Sequence, residues 1–259
     1  MVKPIRDEVQ VVTKVGSYRE ADAANPRLDR ASIRRNCDES LQRLGLDHVD
    51  LYYLHVPDPW TPIEESLAAC QELVDAGKIR HLPLSNHAAW QIADAIRLAE
   101  AHGWPRARAS QPMYNLIARR MEEECVACTR RFDVANLVYN PLAGGLLTGK
   151  HRADQEPEEG TRFSQRANYR ERYWNQAQFE AVDRLGLIAR DAGMMLIELS
   201  LRWLLTRDHV NGAILGVSSM EHLESNIAAA DGPGPDDDTV AAVDEVWADL
   251  RGAAPSYNR

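Results

Sequence analysis

The sequence has few cysteines, no long apolar run and no excess of positive charge, and each shortage excludes a class of protein. Four cysteines in 259 residues are too few for the disulfide framework of a small secreted domain. No stretch approaches the roughly 18 apolar residues of a membrane span, and the first residues, MVKPIRDEV, lack the apolar core of a secretory signal. The net charge of −9 argues against non-specific binding to nucleic acid. We therefore expect a cytoplasmic protein with neither a membrane nor a nucleic-acid partner.

Two of the cysteines, Cys125 and Cys128, have the CxxC spacing found in zinc and redox sites. No second pair of Cys or His residues completes a zinc site, and the motif lies inside a helical pattern, RRMEEECVACTRRF. Buried structural thiols are the favoured interpretation, redox or metal binding is the alternative, and we expect no metal.

Short apolar segments alternate with amphipathic ones along the whole chain. The apolar segments predict strands at residues 9–15, 49–55, 78–85, 107–111, 135–140 and 211–217. The amphipathic segments predict helices at residues 32–44, 63–76, 87–103 with Asn86 as the N-cap, 118–131, 176–192, 195–206, 218–230 and 237–251. Residues 151–172 are polar and rich in Pro, Gly and Arg, which predicts a long loop.

Strict alternation of strands and helices predicts a parallel sheet with helices packed outside it. Such a sheet is either doubly wound and open or closed as a (β/α)8 TIM barrel. No GxGxxG follows the first strand, and 259 residues are close to the roughly 250 of a full barrel. Six strands are two fewer than the eight of a closed barrel, so the pattern predicts an α/β fold and leaves both arrangements of the sheet open.

Polar side chains stand at the carboxyl ends of the predicted strands, which is the end of a parallel barrel that carries function. They are Lys14, His55, Ser85, Asn86, Gln111, Tyr139, Asn140 and residues 216–219. A single strand-end histidine is more often structural, and a single lysine is more often only solvated. The pattern indicates a site only if these residues converge.

The chain also resembles the aldo-keto reductase superfamily over residues 7–259. The resemblance rests on RDEVQVVTKVG, ESLQRLGLDHVDLYYLH, GKIRHLPLSN, QPMYN, VYNPLAGGLLTGK and ILGVSSMEHLESNIAAA. The segments HVPDPWTPIEESLAAC and RERYWNQAQFE and a C-terminus in Tyr-x-Arg are most similar to the aflatoxin aldehyde reductase type. The resemblance implies an α/β fold of the (β/α)8 TIM-barrel type with about six of its eight βα units present, in one domain over residues 1–259. It also implies that the barrel binds NADPH across its mouth and reduces an aldehyde or ketone.

The resemblance implies roles for single residues as well. Lys14 and His55 match the catalytic lysine and histidine, and His55 would also contact the substrate. Residues that match the cofactor site are Ser85, Asn86, Gln111, Tyr139, Asn140, Pro141, Leu142, Gly144, Leu146, Gly149, Lys150, Ser218, Ser219, His222, Ser225 and Asn226. Tyr169, Arg172 and Arg259 match substrate-side residues, and arginines there suit an anionic group. His222 stands where the family more often has Arg or Gln, so the preference for NADPH over NADH stays open.

Residues 144–150, GGLLTGK, also fit the GxxxxGK pattern of nucleotide triphosphatases. His151 follows in place of Ser or Thr, and RADQEPEEG does not open a helix, so the structural context of that motif is missing. The glycines are better explained by close approach of the backbone to a dinucleotide phosphate.

The catalytic set of the family also contains an aspartate and a tyrosine, and the tyrosine is the acid that protonates the carbonyl oxygen. Thirteen residues precede Lys14, and none of them is a tyrosine. Three interpretations stay open. The first is a full reductase whose sequence begins further upstream. The second is an NADPH-binding homologue with altered chemistry, such as dehydration or isomerisation, that uses Lys14, His55, Tyr18 or Tyr53. The third is a non-catalytic binding subunit.

Two smaller departures carry expectations of their own. Without the first two strands of the family, two sheet edges would be exposed, and a homo-oligomer is one way to cover them. Pro83 stands where the family usually has Gly, and it removes a backbone donor beside Ser85. We therefore expect altered strand pairing at that point.

Overall fold

The structure is a computed structural model that describes residues 3–16 and 28–253. Tyr18 and Arg259 lie outside these residues. The chain divides into two compact units, Met1–Pro112 with Glu122–Leu137 and Met113–Met121 with Val138–Arg259. Each unit is described by itself.

Parallel strands alternating with helices form the first unit. Its strands are β1 (Val12–Val15), β2 (Val49–Leu54), β3 (Ile79–His81), β4 (Leu84–Ser85), β5 (Ala109–Gln111) and the first residues of β6 (Ala135–Tyr139). They follow the order β1-β2-β4-β5-β6, with β3 also beside β2, and these pairs are parallel. The helices are α1 (Arg30–Leu44), α2 (Ile63–Asp75), α3 (Ala89–His102) and α4 (Cys125–Arg131), with a 3-10 helix at Lys3–Glu8. Parallel neighbours need crossover helices, and the alternation confirms the α/β class predicted for a (β/α)8-type fold.

The core of the first unit is made by β2 and the apolar faces of the helices. Val49, Tyr52 and Leu54 of β2 are fully buried, as are Ile33 and Cys37 of α1. The Tyr52 hydroxyl donates a hydrogen bond to the Ile33 carbonyl at 3.0 Å, so the one polar group of this side chain is satisfied. A strand buried in this way is expected where helices cover a parallel sheet.

A buried carboxylate anchors the amino end of β2. Asp50 accepts a hydrogen bond from the Val11 amide at 2.7 Å and pairs with Arg6 at 2.8 Å and with Arg80 at 3.4 Å. Burial by itself would raise the pKa of Asp50, but the Val11 amide and the two arginines hold it below its usual value. Because Val11 precedes β1, this cluster fixes β1 beside β2.

The second unit is mostly helical. It holds the end of β6, β7 (Gly212–Ile214), a 3-10 segment at Ala143–Thr148, and the helices α5 (Arg162–Gln165), α6 (Ala167–Tyr173), α7 (Gln176–Asp191), α8 (Leu196–Leu205), α9 (Met220–Ala230) and α10 (Asp237–Arg251). Helix α7 packs against α10, and α8 packs against α9. The buried Arg119 pairs with Asp244 of α10 at 2.6 Å, and its guanidinium lies 4.9 Å from the ring centroid of Trp203 in α8. This side chain therefore ties α8 to α10.

Two predictions around Ser85 are settled by the structure. The strand predicted at residues 78–85 is two strands, β3 and β4, because Pro83 has no amide hydrogen with which to continue the ladder. The prediction that Asn86 is an N-cap is wrong. Asn86 has a φ of 60°, and α3 begins later, at Ala89, with Ala88 at the cap position.

Two further predictions are wrong in their boundaries. The helix predicted at residues 118–131 is a 3-10 turn at Arg120–Glu122 followed by α4, and the loop predicted at residues 151–172 contains α5 and α6. Helices α5 and α6 were not predicted, because their Arg, Asn and Glu residues mask the apolar positions that would give a helical pattern. Within the described ranges, no helix has the length and apolar character that crossing a membrane would require.

Candidate active site

The strand ends of the first unit bring polar side chains to one edge of the sheet. Pairing of β1 with β2 sets Lys14 opposite Tyr53, and pairing of β4 with β5 sets Ser85 opposite Gln111. His55 follows β2 directly and lies two residues after Tyr53, so both side chains leave the same face. The convergence on which the sequence interpretation depended is therefore present within this unit.

The Lys14 ammonium is held inside this group. Its Nζ donates a hydrogen bond to Gln111 Oε1 and lies 5.6 Å from the centroid of the Tyr53 ring, within cation–π range. Burial lowers the pKa of Lys14, because a partly desolvated ammonium is disfavoured. A lysine with a lowered pKa releases its proton more readily than one in water, which suits it to acid–base chemistry.

His55 carries no charge at neutral pH. Burial and, to a smaller extent, the charge of Lys14 lower the pKa of His55 to about 4. Its Nδ1 is buried and has no hydrogen-bond partner among the residues that the structure describes. A neutral imidazole can donate one hydrogen bond to a carbonyl oxygen without protonating it.

Tyr53 is more deeply buried than Lys14 and His55. It is 1% exposed, and burial raises the pKa of its phenol while the nearby Gln111 side chain offsets part of the rise. The hydroxyl does not reach hydrogen-bond geometry with any described residue. This burial disfavours Tyr53 as an acid in direct contact with a substrate and leaves its ring as a surface for the Lys14 ammonium.

Hydrogen bonds join Ser85, Asn86 and Gln111. The Ser85 hydroxyl donates to the Gln111 main-chain carbonyl at 2.9 Å. Asn86 Nδ2 donates to Ser85 Oγ at 3.1 Å and to the His55 carbonyl at 2.8 Å. The left-handed conformation of Asn86, which asparagine adopts more easily than most residues, turns its side chain back onto these groups. These hydrogen bonds connect the carboxyl ends of β2, β4 and β5.

His87 supports this turn, and it was not among the predicted site residues. Its Nδ1 donates to the Ser85 carbonyl at 2.8 Å, and the residue is 8% exposed. Burial lowers the pKa of His87 to about 4 against the opposing effect of the carbonyl. The sequence offers no signal for this role beyond a histidine two residues after a strand end.

In the second unit, Asn140 organises the loop that follows β6. Asn140 has a φ of 64°, its Oδ1 accepts from the Gly144 amide at 2.7 Å, and its Nδ2 donates to the Tyr173 hydroxyl at 2.7 Å. Asn115 Nδ2 donates to the Asn140 carbonyl at 2.9 Å. Tyr173 and Asn115 were not predicted, since nothing in the sequence relates either of them to Asn140.

The backbone conformation and the close approach of Tyr169 require a glycine at position 144. Its φ is 72°, and a Cβ at this position would lie 2.7 Å from Tyr169 Cδ1. Of the other predicted loop residues, Pro141 and Leu146 are buried, Lys150 is exposed, and Leu142 and Gly149 are intermediate. The segment after Lys150 is not helical before α5, in agreement with the rejection of the triphosphatase motif.

Two arginine guanidinium groups lie near the ring of Tyr169, within cation–π range. The guanidinium carbons of Arg162 and Arg172 lie 5.1 Å and 5.7 Å from its ring centroid. Arg172 also donates to Met113 Sδ at 3.4 Å. Burial raises the pKa of Tyr139, and Arg172 offsets part of this rise. Tyr139, Tyr169 and Arg172 are thus near one another, and Arg162, which was not among the predicted site residues, lies beside Tyr169.

The predicted adenosine-side residues lie at the start of α9. Ser219 is the N-cap and accepts from the His222 amide at 3.1 Å, and Ser218 Oγ lies 3.0 Å from His222 Nδ1. Ser225 is exposed on the same helix, and Asn226 is buried. Hydroxyl groups at a helix amino terminus can receive an anion.

Comparison with known proteins assigns the chain to a family. The model of the aldo/keto reductase family matches residues 2–248. Aflatoxin B1 aldehyde reductase member 2 of Rattus norvegicus is 38% identical over 257 residues, which cover 92% of this chain and 70% of that protein.

The chain belongs to the aldo/keto reductase family.

Other relatives of this aldo/keto reductase agree with that assignment. Aldo-keto reductase family 7 member A3 of Homo sapiens is 36% identical over 88% of the chain and 73% of its own length. Aldo-keto reductase YhdN of Bacillus subtilis is 32% identical over 85% of the chain and 65% of its own length. The relatives named aflatoxin B1 aldehyde reductases confirm the predicted type, and membership of the family makes this protein an oxidoreductase.

Proposed function

We propose that this aldo/keto reductase binds NADPH and reduces an aldehyde or ketone that carries an anionic group. One observation supports this most strongly. In the first unit, the Lys14 ammonium and the neutral His55 imidazole end neighbouring strands beside the linked side chains of Ser85, Asn86 and Gln111. Reduction of a carbonyl needs a proton source and a hydrogen-bond donor next to the reductant, and this edge supplies both.

The residues present fit a nicotinamide dinucleotide. In the first unit, Ser85, Asn86 and Gln111 carry hydroxyl and amide groups suited to a carboxamide. In the second unit, Ser219 presents a hydroxyl at the start of a helix, where an anionic group can be received. When bound, NADPH would supply the hydride.

The remaining chemistry belongs to side chains of the chain itself. His55, which burial keeps neutral, donates a hydrogen bond that orients and polarises the substrate carbonyl. Lys14 holds a proton at Nζ, and its lowered pKa favours passing that proton to the carbonyl oxygen as an alcohol forms. General acid catalysis of this kind typically contributes about 10²–10⁴-fold to a rate.

An exposed arginine of the second unit supports the proposal of an anionic substrate. Arg172 is exposed and stacks on Tyr169, so its guanidinium is held in place while its N–H groups stay accessible to solvent. A planar guanidinium is the side chain best shaped to receive a carboxylate. Arg259 lies outside the described residues, and it is proposed to bind the anionic group of the substrate on the basis of the resemblance alone.

The test combines binding with turnover. The full chain is titrated with NADPH and with NADH while tryptophan fluorescence is followed, and it is then assayed with benzaldehyde and with 4-carboxybenzaldehyde. We expect NADPH to bind more tightly than NADH, and the carboxylate to lower KM in the wild type but not in Arg172→Leu. Failure of both nucleotides to bind at millimolar concentration would overturn the proposal.

A separate outcome distinguishes the alternatives. NADPH binding without turnover of either aldehyde would favour a homologue with other chemistry, such as dehydration or isomerisation, or a binding subunit. Turnover that survives both Lys14→Met and His55→Ala would show that the two residues are not the catalytic pair.

A further inference from the structure

Trp203 of α8, in the second unit, is buried with a hydrogen-bond donor that the described chain does not satisfy. The residue is 0% exposed, and its indole Nε1 has no hydrogen-bond partner among the described residues. An indole N–H can only donate. Because a buried donor without an acceptor is costly, such groups normally bind ordered water or an ion. The surroundings of this N–H indicate which of the two it binds.

A second donor of the same kind lies next to this ring. The guanidinium carbon of Arg207 is 5.1 Å from the Trp203 ring centroid, and Arg207 Nε is also buried without a hydrogen-bond partner in the described part of the chain. Arg207 Nε is bonded to that guanidinium carbon, and Trp203 Nε1 belongs to that ring. The two donors therefore lie in one small region, where one acceptor can receive both.

The end of α8 does not supply this acceptor. Carbonyl groups at the carboxyl end of a helix attract cationic side chains, but here they already accept other hydrogen bonds. The Trp203 carbonyl accepts from the Thr206 hydroxyl at 2.8 Å, and the Leu204 carbonyl accepts from the Arg207 amide at 3.3 Å. The acceptor for Trp203 Nε1 and Arg207 Nε must therefore be something other than these carbonyls.

The charge of Arg207 favours a negative acceptor. No carboxylate of the described residues pairs with Arg207, since the neighbouring Asp208 lies 3.3 Å from His209 Nδ1 instead. Arg207 is only partly exposed, and a partly buried charge is unfavourable without a counterion. The acceptor that suits this guanidinium best is therefore an anion.

A further arginine strengthens the positive field around the indole. The side chain of Arg119 is 7% exposed and pairs with Asp244 at 2.6 Å, and its guanidinium carbon lies 4.9 Å from the Trp203 centroid. The fully buried ring of Tyr114 packs beside the indole, with the two centroids 5.4 Å apart. Guanidinium groups and ring faces therefore dominate these surroundings.

We propose that the second unit binds a small monovalent inorganic anion, such as chloride, between Trp203 Nε1 and Arg207 Nε. A halide accepts hydrogen bonds from any side and carries no hydrogens. A water molecule would bring two hydrogens that need acceptors of their own, and guanidinium groups supply none. Partial exposure of Arg207 gives a small ion access from solvent. Binding of this anion is independent of the proposed cofactor and substrate.

The dependence of thermal stability on the kind of anion tests this site. The full chain is melted at pH 7.5 in rising sodium chloride, with sodium gluconate holding the ionic strength constant, because gluconate is too large for the site. A ligand that binds only the folded chain raises Tm, so we expect a saturable rise of about 2–4 °C with chloride and with bromide. A Tm that is the same in chloride and gluconate would overturn the proposal and assign the two donors to water.

Variants separate this site from general effects of salt. Trp203→Phe keeps an aromatic ring and removes Nε1, and Arg207→Gln removes the guanidinium at a partly exposed position. Each should abolish most of the chloride-dependent rise in Tm. The matched control is Trp247→Phe, at an indole of α10 that Arg119 also faces, at 6.0 Å, and it should keep the full rise. An equal rise in the wild type and all three variants would place the effect elsewhere and refute the site.

Crystals grown in sodium bromide locate the ion directly. The anomalous signal of bromine should give a peak within hydrogen-bond distance of Trp203 Nε1 and Arg207 Nε. Ordered water at that position, with no anomalous signal, would contradict the proposal whatever the melting experiments show. A peak without the chloride-dependent rise in Tm would mean an adventitious ion only, and it would also count against the proposal.

Discussion

The stability of this protein should fall as the pH is lowered toward 5, and His87 should account for a defined part of the fall. Burial lowers the pKa of His87 to about 4 in the folded chain, whereas an imidazole in an unfolded chain titrates near 6.5. The unfolded state therefore binds more protons between these values. The contribution of His87 is complete above about pH 6.5 and is lost progressively as the pH falls toward 4. At pH 5 the loss from this one residue is about 2 kcal/mol.

Urea unfolding at pH 7.5 and pH 5 measures this quantity. The free energy of unfolding should drop between the two pH values by about 2 kcal/mol less in His87→Gln than in the wild type, because glutamine can donate to the Ser85 carbonyl but does not titrate. His81→Gln, at an exposed imidazole of β3, controls for the loss of a histidine elsewhere. Fluorescence and circular dichroism should give coincident transitions, so that the free energies are comparable. If His87→Gln and the wild type lose the same free energy on acidification, the imidazole is not buried as described.

Three further substitutions test separate parts of the structure. Gly144→Ala should lower the melting temperature, by an amount matching about 1–3 kcal/mol, because the new Cβ would lie 2.7 Å from Tyr169 Cδ1. In a Tyr169→Ala background the same substitution should cost clearly less, and equal costs in the two backgrounds would contradict the clash. Asp50→Asn should destabilise the chain by about 3 kcal/mol in urea unfolding, because it leaves the Arg6 guanidinium without its buried partner, and a loss below about 1 kcal/mol would contradict this. Lys14→Met should lower kcat at least about 100-fold with an unchanged melting temperature, and retention of wild-type kcat would count against Lys14 as the proton source.

The order of strands and helices and the residues at the strand ends could be predicted from the sequence. An apolar run that stops at a polar residue marks the end of a buried strand, and the carboxyl ends of parallel strands share one edge of the sheet. Lys14, His55 and Gln111 were therefore placed correctly relative to the strands. The short helices α5 and α6 were not predicted because polar residues mask their apolar positions. Asn86 was wrongly predicted to be a cap, because a single residue in the left-handed region leaves no periodic signature in the sequence.

The sequence by itself determined which residues reach the site edge, because strand periodicity is local and each strand ends where its apolar pattern ends. Only the tertiary structure decided which polar groups meet. Lys14 and Gln111 are 97 residues apart in the chain and share a hydrogen bond, His87 is buried against the Ser85 carbonyl, and the guanidinium groups of Arg162 and Arg172 lie near the Tyr169 ring. The choice of a hydrogen-bond partner and the loss of water around a charge depend on what other strands and helices bring alongside, and that information is not contained in the residues that flank each group.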